Sequence, residues 1–390
     1  MSLLGLNTIV IGGGIGGLAV ARALALRGAD VTLLEQAEAI TEVGAGLQIS
    51  PNGVAVMRAL GLAQDLARDA VRGRGVSLRD YRRGEVLHLD LGRVEDQDFY
   101  FVHRADLINI LVAGAREAGV KIRLLQQVDR VLPGAPAQVE LANGATLTAD
   151  LVIGADGLHS RLRPALNGDD APVFTGQVAW RAVVPNTDNR RPEAWVHMGP
   201  GRHMVSYPLR GGKDLNIVAV QERHAWADEG WNHADDPDNL RATFADFGAE
   251  AQAILSRVTD VQLWGLFRHP VARVWQRDQC ALLGDAAHPT LPFLAQGACM
   301  ALEDAWALAD ELARSDSIAA GLAAYQNRRA ARARRVIDAA NGNAWKYHLR
   351  PKPLRFAAHM ALRLGGALVP GAMLHQFDWL YAHDETAPVG

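Results

Sequence analysis

Asn7-Thr8-Ile9-Val10-Ile11-Gly12-Gly13-Gly14-Ile15-Gly16-Gly17, followed by apolar residues at Leu18, Ala21, Leu24 and Ala25, reads as strand, tight turn and helix. The first five residues are a short run rich in β-branched side chains, and the later spacing is that of one helix face. Gly12, Gly14 and Gly17 stand at the G-x-G-x-x-G positions, with Ile15 opening the helix. The first glycine permits the turn, the second lets backbone approach a pyrophosphate, and the third lets helix pack on strand. The helix start offers free N–H groups and a partial positive charge. A second strand, Asp30 to Leu34, ends at Glu35, whose carboxylate can accept hydrogen bonds from both hydroxyls of a ribose. The segment therefore points to an adenine dinucleotide and leaves FAD and NAD both open.

Two further segments narrow the choice. Leu151-Val152-Ile153-Gly154-Ala155-Asp156-Gly157 is a buried-type strand ending in an acid and a glycine, with Ser160 and Arg163 after it. Asp156 stands either where open α/β sheets bind ligands or as a helix cap, with Ser160 doing similar local work. Ala281-Leu282-Leu283-Gly284-Asp285-Ala286-Ala287-His288-Pro289 ends another strand. A loop with Pro292 follows, and a helix starts near Gly297 and Ala298. That helix start suits a reduced flavin, whose ring carries negative charge, and Asp285 could hold ribityl hydroxyls or only a turn. Such second and third segments have no place in a simple nicotinamide dehydrogenase, so the three together point to FAD.

Composition bounds the rest. A chain of 390 residues is too long for one small domain and fits about two to three lobes. Hydrophobic content of 49% beside 21% charged residues describes a globular protein with a large core. A net charge of −3 argues against a nucleic-acid partner. Cys280 and Cys299 cannot build a disulfide framework and read as buried thiols. No basic stretch precedes the first apolar run, and Phe356 to Leu374 is broken by His359, Arg363 and Pro370, so neither a signal peptide nor a membrane span is expected. The expected location is the cytoplasm. The histidines show no metal-ligand spacing, and no metal is expected. Arg328, Arg329, Arg332, Arg334 and Arg335 read as a solvated or salt-bridged helix surface.

The chain's texture changes along its length. Residues 1–171 read as the first part of a dinucleotide-binding domain, with short strands inserted at about 75–101. Helices are predicted over Asn52–Leu60 and Arg104–Ala118, and Asn143-Gly144 predicts a hairpin turn. Residues 172–268 are strand-rich and carry Trp180, Trp195, Trp226, Trp231 and Trp264, as a sheet forming a substrate wall would. Residues 269–340 return to α/β texture and long helices, and 341–390 form a C-terminal helical segment.

In this order the segments resemble the FAD-dependent class A aromatic monooxygenases, closest to salicylate hydroxylase, 3-hydroxybenzoate 6-hydroxylase and 6-hydroxynicotinate 3-monooxygenase. Gly44-Ala45-Gly46-Leu47-Gln48-Ile49-Ser50-Pro51-Asn52, His103-Arg104-Ala105-Asp106-Leu107, Ala295-Gln296-Gly297-Ala298 and Asp378-Trp379-Leu380-Tyr381 also carry the likeness, which spans nearly the whole chain. The resemblance implies an α/β fold of the para-hydroxybenzoate hydroxylase type: a Rossmann-like FAD-binding domain, an inserted β-sheet substrate domain and C-terminal helices. It implies that Glu35, with Gln36 beside it, binds the adenosine ribose, and that Arg104 reaches the phosphate or ribityl region. Val128 would contact adenine through its backbone, Asp156 would belong to the cofactor site, Asp285 would bind the ribityl chain, and Gly297 and Ala298 would donate to the flavin ring. NADH or NADPH would dock transiently, since no second G-x-G-x-x-G is present. A small aromatic substrate and O2 complete the set, the oxygen passing through a flavin hydroperoxide, on a monomer or homodimer.

Substrate chemistry falls on Arg202-His203-Met204-Val205-Ser206-Tyr207. In a strand His203 and Tyr207 share a face, roughly 13 Å apart. They match a His/Tyr pair that contacts the phenolic substrate in the relatives, where an imidazole can take the phenol proton; without that resemblance His203 reads first as a surface or sheet-packing residue. One hydroxybenzoate relative has glutamine where Pro292 stands, and the hydroxynicotinate relative has histidine at Gln48. Those two positions leave the substrate open. A flavin-dependent dehydrogenase and a non-catalytic FAD-binding redox protein remain the rival readings.

Overall fold

The computed structural model describes residues 1–40, 45–93, 98–223 and 233–388; Gly44, Trp226 and Trp231 lie outside the described residues. Asn7–Ile11 is a central strand of a six-stranded sheet. It pairs in parallel with Asp30–Leu34 on one side and Leu151–Gly154 on the other, and Cys280–Leu282 continues in parallel beyond the latter. Because these strands run the same way, Gly12, Glu35, Asp156 and Asp285 all follow strand carboxyl ends at one edge of one sheet. That edge is where open α/β sheets place ligands.

Two glycines of the first turn are required by space. Gly12 adopts φ +104°, and a Cβ there would fall 2.5 Å from the carbonyl oxygen of Ala155. A Cβ on Gly17 would lie 2.0 Å from the carbonyl oxygen of Gly12, so the helix Ile15–Ala25 can approach the strand only without one. The predicted helices form at Pro51–Ala59 and Arg104–Glu117. The predicted hairpin closes at Gly144 between Ala137–Leu141 and Thr146–Ala149.

The second sheet has eight strands and includes Val173–Pro185, Glu193–Gly199, Arg202–Leu209, Asp214–Glu222 and Val261–Arg268. Gly75–Asp80 and Gly84–Asp90, which the sequence pattern leaves as an insertion, extend its edge; Gly75–Asp80 pairs in parallel with Glu193–Gly199. Along Arg202–Leu209 the alternation is functional. Met204 packs into a core with Trp180, Leu240, Phe244 and Ile254, while His203, Val205 and Tyr207 face a cavity between the two sheets.

Helix Gly297–Arg314 packs against both Ile15–Ala25 and the long helix Ile318–Tyr347. The expected arginine surface, solvated or salt-bridged, holds for exposed Arg334 and Arg335 and in the pairing of the others, but not in depth at Arg329. Arg329 is fully enclosed and pairs with Glu303 at 2.7 Å, Asp304 at 2.7 Å and Glu385 at 2.5 Å. Arg332 holds Glu303 at 2.8 Å, and Arg328 holds Asp310, Glu311 and Glu385. The reason is complementary spacing: Glu303 and Asp304 sit on the buried face of the helix that Arg329 and Arg332 meet. Arg332 also donates to the carbonyls of Trp379 and Leu380, which ties the C-terminal segment to the same point.

Removing one partner from such a group leaves a buried charge uncompensated. Arg329→Met is expected to destabilise the FAD-loaded protein by about 3–5 kcal/mol in urea titrations at fixed FAD. The pH dependence has a definite sign. Burial alone would raise Glu303 and Asp304, but Arg329 acting on both, Arg332 on Glu303 and His288 on Asp304 hold each at about 2. The unfolded chain therefore binds more protons below about pH 4.5, and stability should fall from there toward pH 2. The variant should lose most of that acid dependence.

Candidate active site

One cavity of 1310 Å³ runs between the sheets and under the C-terminal helices. It exceeds the roughly 300–1,000 Å³ of an ordinary small-ligand pocket, as a site for a dinucleotide together with a substrate should. At one part of its wall lie Gly14, Ile15 and Glu35. Helix Ile15–Ala25 begins here with no side-chain cap, and a Cβ placed on Gly14 would meet only open space. Unfilled N–H groups and an empty approach beside a glycine are what a pyrophosphate needs. Glu35 accepts from the backbone N–H of Gly13 at 2.7 Å and of Ala37 at 2.9 Å, which orients its carboxylate at the cavity wall.

Arg104 and Asp285 line the middle stretch. The Asp285 side chain opens into the cavity yet lies deep within the protein, and burial raises its pKa against the opposing pull of His288 and Arg104. His288 bonds Asp304 through Nε2, so Asp285 sits one residue pair away from the arginine group. Burial lowers His288, but the Asp304 carboxylate outweighs it and the net shift is upward.

Helix Gly297–Arg314 also begins at the cavity without a side-chain cap. Its preceding residue, Gln296, is committed elsewhere: Nε2 donates to Ser50 Oγ at 2.9 Å and Oε1 accepts from Asn52 at 3.1 Å. Asn52 in turn donates to Glu303 at 2.6 Å. The N–H groups of the first turn are thereby left for a ligand, beside Gly297 and Ala298. The uncapped helix starts at Ile15 and Gly297, facing one cavity, suit an anionic diphosphate and a flavin that becomes negative on reduction. The residues present fit FAD.

Gln48, Pro292, His203 and Tyr207 line the same cavity. Tyr207 is buried, its ring stacked on Phe101 with centroids 5.0 Å apart, and a Cβ on Gly46 would fall 2.7 Å from that ring. Burial raises its pKa, so the phenol stays neutral. His203 packs between Phe293 and Tyr347, and burial, then His348, hold its pKa well below the usual imidazole value.

Not every expected residue arrives. Gly12 and Gly17 shape the turn from behind the wall. The Val128 side chain packs into the core of the first lobe, which leaves its backbone for the expected contact, and Gln36 is exposed; neither residue lines the cavity. Asp156 is also outside the lining. Its Oδ2 accepts from the Arg161 N–H at 2.7 Å, while Oδ1 is buried without a hydrogen-bond partner, and its neighbours Ala155, Gly157 and Leu158 do line the cavity. Conversely, Arg181, stacked 4.8 Å over Trp264, and Tyr347 line the cavity without any local sequence signal, and Tyr381 lines it from the Asp378-Trp379-Leu380-Tyr381 segment that carries the resemblance. Among the described residues Glu303, His383 and Glu385 are close enough to hold a cation, but arginines already pair both carboxylates. No helix among the described residues is long and apolar enough to cross a membrane.

A substitution pair separates binding from folding at the turn. Gly14→Ala should fold, because its Cβ meets nothing, yet retain FAD poorly; Gly17→Ala should fail to fold because of the Gly12 clash. Glu35→Ala and Asp285→Ala should fold and lose flavin on gel filtration. Full flavin retention in Gly14→Ala and both acid variants would contradict this placement of the cofactor.

The chain matches known proteins along most of its length. The family profile described as FAD binding domain matches residues 6–340. The 3-amino-4-hydroxybenzoate 2-monooxygenase of Streptomyces platensis is 34% identical over 98% of this chain and 96% of its own length. The 3-hydroxybenzoate 6-hydroxylase of Klebsiella oxytoca is 34% identical over 97% of each. Klebsiella pneumoniae HpxO, solved with FAD and uric acid, superposes with a TM-score of 0.83 at 26% identity, covering 95% of this chain and 96% of that one. With the strand-end glycines, the two open helix starts and the His/Tyr wall all in place, this chain belongs to the class A FAD-dependent aromatic monooxygenases.

Proposed function

We propose that this enzyme hydroxylates a ring-hydroxylated aromatic or heteroaromatic acid, and that His203 takes the substrate's phenolic proton. The observation that supports this most is a neutral imidazole at the cavity wall, packed on Phe293 of the loop that leads into helix Gly297–Arg314. Bound FAD supplies the redox chemistry with O2 and NADH or NADPH. The protein's part is to hold the ring, exclude water and remove a proton. Electrophilic oxygen transfer favours a phenolate, and a phenol titrating near 10 is almost wholly protonated at neutral pH. A base at the wall corrects that.

In this reading residues 1–171 and 269–340 hold the cofactor, 172–268 supply the substrate wall and 341–390 close the cavity. Glu35, Arg104 and Asp285 grip FAD along its length, with Gly297 and Ala298 donating to the flavin. Tyr207 orients the substrate, and Gln48 and Pro292 border the ring. The names of these relatives give hydroxybenzoates, which carry a carboxylate, as their substrates, and Arg181 is a cation in the cavity lining that suits one. The enzyme acts in the cytoplasm as a monomer or homodimer, with the reductant docking only transiently.

The test is a panel of phenolic and heteroaromatic acids, scored for stimulated NADH and NADPH oxidation together with product mass. His203→Ala should fold and keep FAD, while hydroxylation falls by roughly 10²–10⁴-fold. Flavin reduction should suffer less, so the variant should release hydrogen peroxide in place of product. Tyr207→Phe should be milder. Wild-type coupling in His203→Ala would make His203 structural.

A further inference from the structure

We propose that His203, His348 and Glu222 form a proton relay, which fixes His203 as an acceptor toward the substrate and carries the captured proton to solvent. This rests on the reading of His203 as the base. His203 Nδ1 lies 2.7 Å from His348 Nε2, and His348 Nδ1 lies 3.0 Å from Glu222 Oε1. Both imidazoles are 3% exposed, whereas the Glu222 side chain is 32% exposed and its partner Arg350 is 60% exposed. The three groups thus run in order from cavity wall to surface.

The hydrogen-bond inventory fixes each tautomer. A carboxylate only accepts, so His348 must carry its hydrogen on Nδ1. Its Nε2 is then bare and must accept, so His203 carries its hydrogen on Nδ1. That leaves His203 Nε2 unprotonated, the one ring position able to receive a proton. Glu222 stays ionised: burial raises it, but Arg350 and His348 bring the net shift downward. Besides Glu222, Arg350 acts on the pair: it lowers His348 and is itself held by Glu222. His203 otherwise meets Phe293, Tyr347 and its cross-strand neighbours Val220 and Met198. Arg202 is turned to Asp246 and Arg223 to Gln221.

The relay answers a difficulty in the base itself. An imidazole held well below its ordinary value is a poor match for a phenol titrating near 10. Handing the proton onward makes bulk pH, rather than the basicity of His203, set the equilibrium. The substrate O–H bond breaks as an N–H bond forms at His203 Nε2. The Nδ1 proton of His203 passes to His348 Nε2, and the Nδ1 proton of His348 passes to Glu222 and then to water. The reverse shift reprotonates the product oxygen and restores both tautomers.

Nitrogen NMR of the FAD-loaded enzyme labelled at histidine side chains reads the tautomers directly, with His203→Gln and His348→Gln giving the assignments. Both rings should be Nδ1–H tautomers, and Glu222→Gln should abolish the preference at His348. An Nε2–H tautomer at His203, or no change in Glu222→Gln, overturns the relay whether or not a substrate is known. With 3-hydroxybenzoate as kinetic probe, Glu222→Gln should slow hydroxylation on the order of tenfold at pH 7. The deficit should shrink as pH approaches the phenol's own pKa, and Glu222→Asp should restore most of the rate. A deficit equal at every pH marks Glu222 as structural and overturns the relay while leaving the base intact. Unimpaired coupling in His203→Ala is the separate result that removes the base.

Discussion

Arg329 is enclosed by three carboxylates from two different parts of the chain, and the cofactor side of the molecule is arranged around it. Its partners Glu303 and Asp304 lie on the helix whose first turn faces the flavin position, and Glu385 lies on the C-terminal segment. An isolated guanidinium could not be buried at this depth, and neither could two adjacent acids. Each makes the other tolerable, so the helix, the long arginine helix and the tail can only assemble together. Asn52 and Gln296 extend the same bonding to the strand end at Ser50, which fixes the start of the flavin helix in rotation as well as in position.

Charge is distributed unequally as a result. The dense ion pairs stand behind the cofactor position, where they hold helices. The wall that faces the substrate is largely apolar or neutral, with Tyr207 and Tyr347 kept protonated by burial and His203 kept uncharged. Low polarity there strengthens each hydrogen bond that remains and keeps water from competing for the reacting ring.

The parts legible from sequence are those that backbone sterics dictate locally. Gly12 and Gly17 admit no side chain, and acids at strand ends declare a ligand edge, so the cofactor lobe could be read from short segments. The alternation at His203 and Tyr207 likewise survived folding. Asp156 stays ambiguous from sequence because an acid after a strand serves a turn or a ligand equally well; in the fold Oδ2 serves the turn through the Arg161 N–H and Oδ1 has no partner. The arginine run was legible as salt-bridged but not as buried, because i, i+3 spacing is the same for a surface face and for one that meets buried acids 25 residues earlier. Parallel pairing of Gly75–Asp80 with Glu193–Gly199 has no local signal at all. Nor does His348, which reaches His203 across 145 residues of chain.

A neutral, weakly basic histidine at the substrate wall has a consequence for fidelity. Were His203 as basic as a free imidazole, a good part of it would be protonated below neutrality whether or not substrate was bound, and that positive charge would sit unused in an apolar wall. Burial removes that state, since the charged ring is the form that desolvation penalises. In the proposed role, a proton would then enter the wall only when a phenol offers one and an exit is connected. Deprotonation of the ring would thereby be tied to occupancy of the site. The same burial that makes His203 a poor base in isolation would make it a selective one in that role.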